Sequence, residues 1–488
     1  MMKRNKKRMS PRRIKICINA AVYIGMALTV LMSCNGSGGG SDLLAGGGIG
    51  GTGISIGTIS GFGSVIVNDV DFNTEKAEIL VNGNSIGFGD SNVRRALALG
   101  MVVRVEGRYL ADGSGKADRI VFSTNVKGPV QSITPVDSVV KILSLMGQSV
   151  IVDDQTRFKN TAFDRIAENN VLAVSGWPND RGQIRATYVD KISDTPEPET
   201  EVMIKGIVSE VDIAQRLFRI NQLVVDISEI SVPLPAAGQL VFVQGVLDDN
   251  SILVAAALSI ENELGLDDAD NVDIESIVRQ VSGPANFILG TTVVQIDEAT
   301  SFKGLAPDDL VPGARLIVKG SLTNRRLLAD EIIAKDKVNI EGQVEEIIGN
   351  EINLKGLDGL VIHVSELTKI FGDVDDISGI ESGHNVKILG YAGSRNNVEA
   401  THVKVEQKNI DKLKLQGPVA DISGFTVTIF MVSVDTGSIP NDGFTTNSEG
   451  AVSRNKFFDL MNVGDTVSVN GNLVGDTAGW KAVELKEE

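Results

Sequence analysis

A chain of 488 residues with a net charge of −17 is long enough for three or four ordinary domains. Its acidic balance repels a phosphate backbone, so no nucleic-acid partner is expected. Three His and two Cys leave little material for transition-metal or thiol chemistry, and no cofactor is expected.

The first 33 residues hold eight Lys or Arg and no Asp or Glu, so the remainder carries −25 (−17 less +8). Residues 3–15 are basic, and residues 16–32 form an apolar run broken by one Asn. A basic stretch, an apolar stretch and a small residue before the cut read as a signal peptide over 1–33, and the run is short for a spanning helix. The ending Leu31-Met32-Ser33-Cys34 resembles the lipobox of bacterial lipoproteins. That resemblance implies cleavage between Ser33 and Cys34, acylation of Cys34, and a membrane contact made through the lipidated cysteine. Asn35 follows, where Asp would stand in retained lipoproteins, which by the same resemblance implies the outer membrane. An uncleaved anchor or an ordinary signal peptide are the alternatives. With Cys17 removed and Cys34 lipidated, the mature chain keeps no thiol, as suits an exported protein held by its β cores alone. Residues 34–53 are glycine-rich and read as a flexible tether.

Six repeats follow, at 54–125, 126–193, 201–262, 272–336, 337–406 and 413–488, with acidic linkers at 194–200 and 263–271. Each repeat opens on a strand carrying Gly57, Gly128, Gly206, Gly342 or Gly417, with Ser276 at that place in repeat four. Two more strands follow. The third often ends in a Thr-x-apolar step, Thr156-Arg157-Phe158, Thr300-Ser301-Phe302 or Thr368-Lys369-Ile370, whose Phe or Ile reads as a core plug. The repeat closes on a hairpin, clearest at 313–332, where Leu316 and Val318 alternate with Arg315, Ile317 and Lys319. The hairpin glycines are Gly107, Gly176, Gly245, Gly320, Gly390 and Gly471. Seven residues before each stands Gly100, Asn169, Gly238, Gly313, Gly383 or Gly464. That earlier position reads as a turn requiring a left-handed backbone, which Asn tolerates best after Gly. An Ala nine to eleven residues after the second glycine, Ala482 in repeat six, completes the pattern.

About five strands and one weak helix per repeat predict an all-β fold, a tandem array of six small OB-like antiparallel barrels. A small open sandwich is the alternative. No segment of a dozen residues has helical period and caps. Short strands expose edges, so closure or edge pairing with the next repeat is expected.

The stretch 57–73, GTISGFGSVIVNDVDFN, together with the glycine-rich leader and the repeated V-x-V-x-G hairpin, resembles a bacterial family known as domain of unknown function 5666. The likeness is clearest through Gly61-Phe62-Gly63-Ser64 and Val67-Asn68 and extends over most of 54–488. It implies an exported or lipid-anchored β-repeat protein and supplies no catalytic residues.

Motifs that carry chemistry are few. The run 53–57 matches G-x-S-x-G at Ser55, but a nucleophile elbow needs a strand before the serine and a helix after it, and here a tether precedes and more strand follows. The run 48–53, GIGGTG, lies in the tether with no βαβ unit around it. His363, His384 and His402 all fall in repeat five without metal-ligand spacing, and read as satisfied or surface histidines. Asp267, Asp268, Asp270 and Asp273 form one carboxylate cluster and Asp373, Asp375 and Asp376 another. Oxygen-rich loops can hold Ca²⁺, yet neither matches the EF-hand loop, and solvated linker acid is the reading. Trp177 and Trp480 read as caps on their own barrels. The sequence therefore predicts a non-enzymatic, lipid-anchored envelope protein whose β modules act as a structural or adhesive scaffold. The alternative is a binding module holding a glycan, peptide or partner protein in an inter-repeat groove.

Overall fold

The computed structural model describes residues 53–486, apart from 63, 137–139, 154, 263, 266–267, 284, 306, 308–309, 336–337, 366, 394–396, 409 and 447–449. Strand covers 58% of the protein and helix 7%, so the all-β reading holds. Among the described residues the two α-helices, Asp90–Ala96 and Arg454–Leu460, are seven residues each.

Repeat four shows how one module is built. Its first strand, Ala269–Val281, is long enough to turn a corner. The front half pairs antiparallel with Arg315–Thr323, and after a bulge the back half pairs with Asn286–Leu289. Asn286–Leu289 pairs with Thr292–Gln295, which runs parallel to Arg326–Ala334. The hairpin Arg315–Thr323 to Arg326–Ala334 completes a closed five-stranded barrel, with the short Ser301–Lys303 alongside. Alternating side chains fill it: Leu316, Val318, Leu327, Ile332 and Phe287 are all buried. Closed barrels of this kind replace the open-sandwich alternative. Repeat six differs: among the described residues its third strand, Val432–Asp435, pairs only with Thr426–Ile429. The inserted turn Thr436–Ser438 follows it and packs on the last strand, Thr477–Lys486.

The two recurring glycines do different work. All six residues at the earlier position have positive φ, from 68° at Asn169 to 99° at Gly313. The second glycine is never left-handed. It sits at a β-bulge in all six hairpins. A Cβ on Gly320 would lie 1.9 Å from the Leu328 carbonyl oxygen, so the constraint is close backbone approach. Opposite the bulge glycine stands Ala117, Ala186, Ala255, Ala329 or Ala400. In repeat six the partner of Gly471 is Trp480, and Ala482 faces Asn470. Ala482 is therefore not the equivalent of the other five alanines. The Thr of the Thr-x-apolar step finds its purpose here. The hydroxyls of Thr156, Thr300 and Thr368 donate to the carbonyls of Ala186, Ala329 and Ala400 at 2.9, 2.7 and 2.7 Å, satisfying an acceptor at the disrupted point of the ladder. Phe158, Phe302 and Ile370 pack, partly buried, against their cores.

First strands also join the modules in pairs, and the pairs are not all neighbours. Repeats two and three join through Val126–Pro135 and Glu201–Ile207, and repeats five and six through Val338–Ile348 and Lys412–Ser423, both antiparallel. Repeat one joins repeat four, not repeat two, through a parallel pairing of Gly53–Phe62 with Ala269–Val281. Among the described residues the result is three continuous sheets of 13, 12 and 13 strands. The linker reading of 263–271 needs correction. Residues 269–271 are already strand, and Leu264 and Ala269 are buried in the core of repeat four.

Candidate functional site

Trp177 is a side chain around which repeats one, two and four meet. It follows the bulge glycine Gly176 and pairs with Arg185 on the last strand of repeat two. Trp177 is 2% exposed and belongs to one buried cluster with Ile54, Ile56, Ile274 and Ile277 from the first strands of repeats one and four. Trp177 thus wedges between modules instead of capping its own barrel. Beside it lies a cavity of about 150 Å³ lined by residues of repeats one to four. Its apolar wall includes the buried side chains of Ile56, Val103, Ile184 and Ile220. Lys205, Arg279, Arg104 and Glu261 add charge at half-buried positions. Arg104 is held by Glu106 at 2.8 Å and the Asn262 carbonyl at 3.2 Å. The Trp177 Nε1 is buried without an acceptor among the described residues.

A smaller cavity of about 80 Å³ lies among repeats two, four and five. There Arg185 stacks 4.3 Å over the Tyr391 ring, and its Nε donates to Asp153 at 3.2 Å. His402 is 3% exposed and bonds through Nε2 to the Pro312 carbonyl at 2.9 Å, tying repeat five to repeat four. His363 pairs with Glu399 at 2.8 Å, and His384 Nδ1 accepts from the Glu381 N–H at 3.2 Å. Each histidine thus has its own partner.

The seam between repeats one and four concentrates buried polar groups. Ser55 has no solvent exposure and strand on both sides, and Asn68 donates to its hydroxyl at 3.1 Å. Tyr109 donates to Asp273 Oδ2 at 3.0 Å. Burial, with the Asp273 charge beside it, pushes the Tyr109 hydroxyl far above its usual range. Burial also raises the Asp273 carboxyl, against the pull of Lys319. For Glu275 burial pushes the same way, but Arg315 and Lys335 outweigh it and hold that carboxyl below the ordinary value. Arg315 Nε reaches Glu275 at 2.7 Å, and Glu275 Oε2 accepts from the Thr58 N–H at 3.0 Å.

The acidic candidates are dispersed. Asp273 is 7% exposed in the seam, so its reading as solvated acid is overturned: the strand begins before the expected linker ends. Asp268 accepts from the Asn324 N–H at 2.9 Å, and Asp270 is an exposed strand residue. Asp373 accepts from the Gln407 N–H at 2.7 Å, Asp375 is exposed, and Asp376 caps the turn Ile377–Gly379. Hydrogen bonds from Ser378 hold the Asp376 carboxyl below its usual range. Among the described residues no group of three or more His, Cys, Asp or Glu is placed to hold a metal ion. Ser33, Cys34 and Asp267 lie outside the described residues, as do residues 48–52 of the GIGGTG run.

Neither cavity is visible in the sequence, since each is assembled from residues more than a hundred positions apart. The one signal for Trp177 is a lone Trp directly after a bulge glycine, where the other repeats carry Arg108, Val246, Ser321, Tyr391 and Asn472.

The fold therefore defines a class, a tandem array of closed OB-type barrels joined in pairs through their first strands. The family described as domain of unknown function (DUF5666) matches residues 56–121, 127–190, 275–333 and 341–404, just over half of the chain, and the protein belongs to it. No curated protein matches the chain. The matches fall in repeats one, two, four and five. Repeats three and six lie outside them, yet keep the hairpin bulge and the first-strand pairing.

Proposed function

We propose that the protein is a non-enzymatic, lipid-anchored component of the cell envelope, tethered by residues 34–53 and acting as a structural or adhesive scaffold on the outer membrane. The observation that carries this reading is the use of the first strands. Every one of the six is consumed in a seam with another repeat, so the modules are locked in pairs by backbone hydrogen bonds. A chain built to move its modules independently would leave those edges free. Family membership adds a repeat suited to tandem use. The lipobox resemblance at Ser33-Cys34 adds the anchor.

Fractionation of cells expressing the full chain tests this. Cys34→Ser should move the protein from the membrane to the soluble fraction. Retention of the variant in the outer membrane, fully processed, would sink the anchor. Cross-linking in intact cells tests the scaffold, which requires stable envelope neighbours lost in Cys34→Ser.

A further inference from the structure

We propose that the cavity where repeats one to four meet binds a small organic anion with an apolar body, a hydrophobic carboxylate. Four observations converge on that chemistry. The wall is apolar, with Ile56, Val103, Ile184 and Ile220 buried along it, so the body of the ligand gains by leaving water. Lys205 and Arg279 stand half-buried at the cavity, and among the described residues neither has an ion-pair partner. Among the described residues the single lining carboxylate, Glu261, already accepts from the Ser259 hydroxyl at 2.5 Å. Two unneutralised cations beside one acid reverse the sign of a chain whose net charge is −17, and the charge left to be matched is negative. Lastly, the Trp177 Nε1–H is buried with no acceptor among the described residues. Buried donors in folded proteins are almost always paired, and a carboxylate oxygen in the cavity would supply the missing acceptor.

The site goes beyond the anchor and scaffold reading and does not depend on it. Cys34→Ser removes the anchor and leaves this cavity intact, and a failed titration here leaves the anchor untouched.

The two tryptophans, Trp177 and Trp480, provide the readout. The full-length chain is titrated with octanoate and separately with octanamide, following tryptophan emission and the heat of binding. Octanoate should give a saturable emission change, with octanamide at least tenfold weaker. Trp177→Phe should abolish the emission change, and Lys205→Gln with Arg279→Gln should bring the two ligands to equal affinity. Thermal melting of that double variant checks its fold. If it does not fold, the octanoate-to-octanamide ratio on the parent chain and on Lys205→Gln alone decides the matter. Equal affinity of the parent for both compounds, an octanoate response unchanged by Trp177→Phe, or tighter binding of galacturonate than of octanoate would each overturn the proposal.

Discussion

The seam between repeats five and six and the seam between repeats one and four use equivalent strands in opposite ways. In the first, the chain meets its neighbour antiparallel, with Ile340 opposite Leu415, each two residues before its strand glycine. Repeats two and three repeat that register at Val126 and Ile204. Both are local twofold contacts, in which the same surface serves both sides, and in both the two barrels merge into one apolar core. The seam of repeats one and four is parallel and offset: Ser55, two before Gly57, faces Asp273, three before Ser276. Repeats one and four keep largely separate cores. Between them lies a buried polar set, Ser55, Asn68, Tyr109, Asp273 and the Glu275–Arg315 pair. The antiparallel seams are held mainly by the apolar core their barrels share, although that of repeats five and six also buries Asn339 and Gln416. The polar seam is held by groups that tolerate only one arrangement, a role buried ion pairs fill better than they add stability.

Four substitutions test that contrast. Arg315→Ala leaves Glu275, which is 1% exposed, with only Lys335 and the Thr58 N–H to offset its burial, and should cost about 3 kcal/mol in urea unfolding, with repeat one released first in hydrogen exchange. A loss under about 1 kcal/mol would mean the polar seam is not held by that pair. Asp273→Asn should act in the other direction and more weakly. A carboxyl raised by burial binds its proton more firmly when folded, so it costs stability as pH rises above the ordinary Asp value of about 4. The Asn variant should therefore melt higher than the parent near neutral pH, with the gap closing as pH falls toward about 4. Glu275, with its lowered carboxyl, carries the opposite sign. Its contribution is present above the ordinary Glu value and lost as pH falls through the folded one. Thr300→Val removes the donor to the Ala329 carbonyl, 2.7 Å away, and should cost about 1–2 kcal/mol, read by the melting temperature. Smallest is Lys412→Ala in the seam of repeats five and six. Its bond to Glu341 is 2.8 Å long, but the lysine is 57% exposed, and the unfolding midpoint should shift by less than about 1 kcal/mol. A Lys412 effect equal to that of Arg315 would erase the distinction between the seams.

Much of one module is legible in the order of its residues. The earlier hairpin glycines and Asn169 announce a left-handed turn because only those residues adopt it cheaply, and all six positions have positive φ. The bulge glycines are legible as recurrent but not as bulges, since a 1.9 Å clash with a carbonyl across the ladder is a property of two strands. Thr300 and its siblings look like strand ends. Their hydroxyl bonds reach 29–32 residues onward, beyond any local pattern. Ala482 shows the opposite failure: counting residues aligns it with Ala329, and the ladder assigns that place to Trp480.

Local spacing, by itself, determined the all-β class of the modules and the turns within them, because strand period and backbone chirality act within a few residues. Which modules pair was decided only in three dimensions. Edge hydrogen bonds are nearly alike in every repeat, so the choice between neighbours falls to side chains such as Asp273, Glu275 and Arg315 that need a distant partner. The position of Trp177 was decided in the same way. It is written next to Gly176 in repeat two, but its surroundings come from repeats one and four.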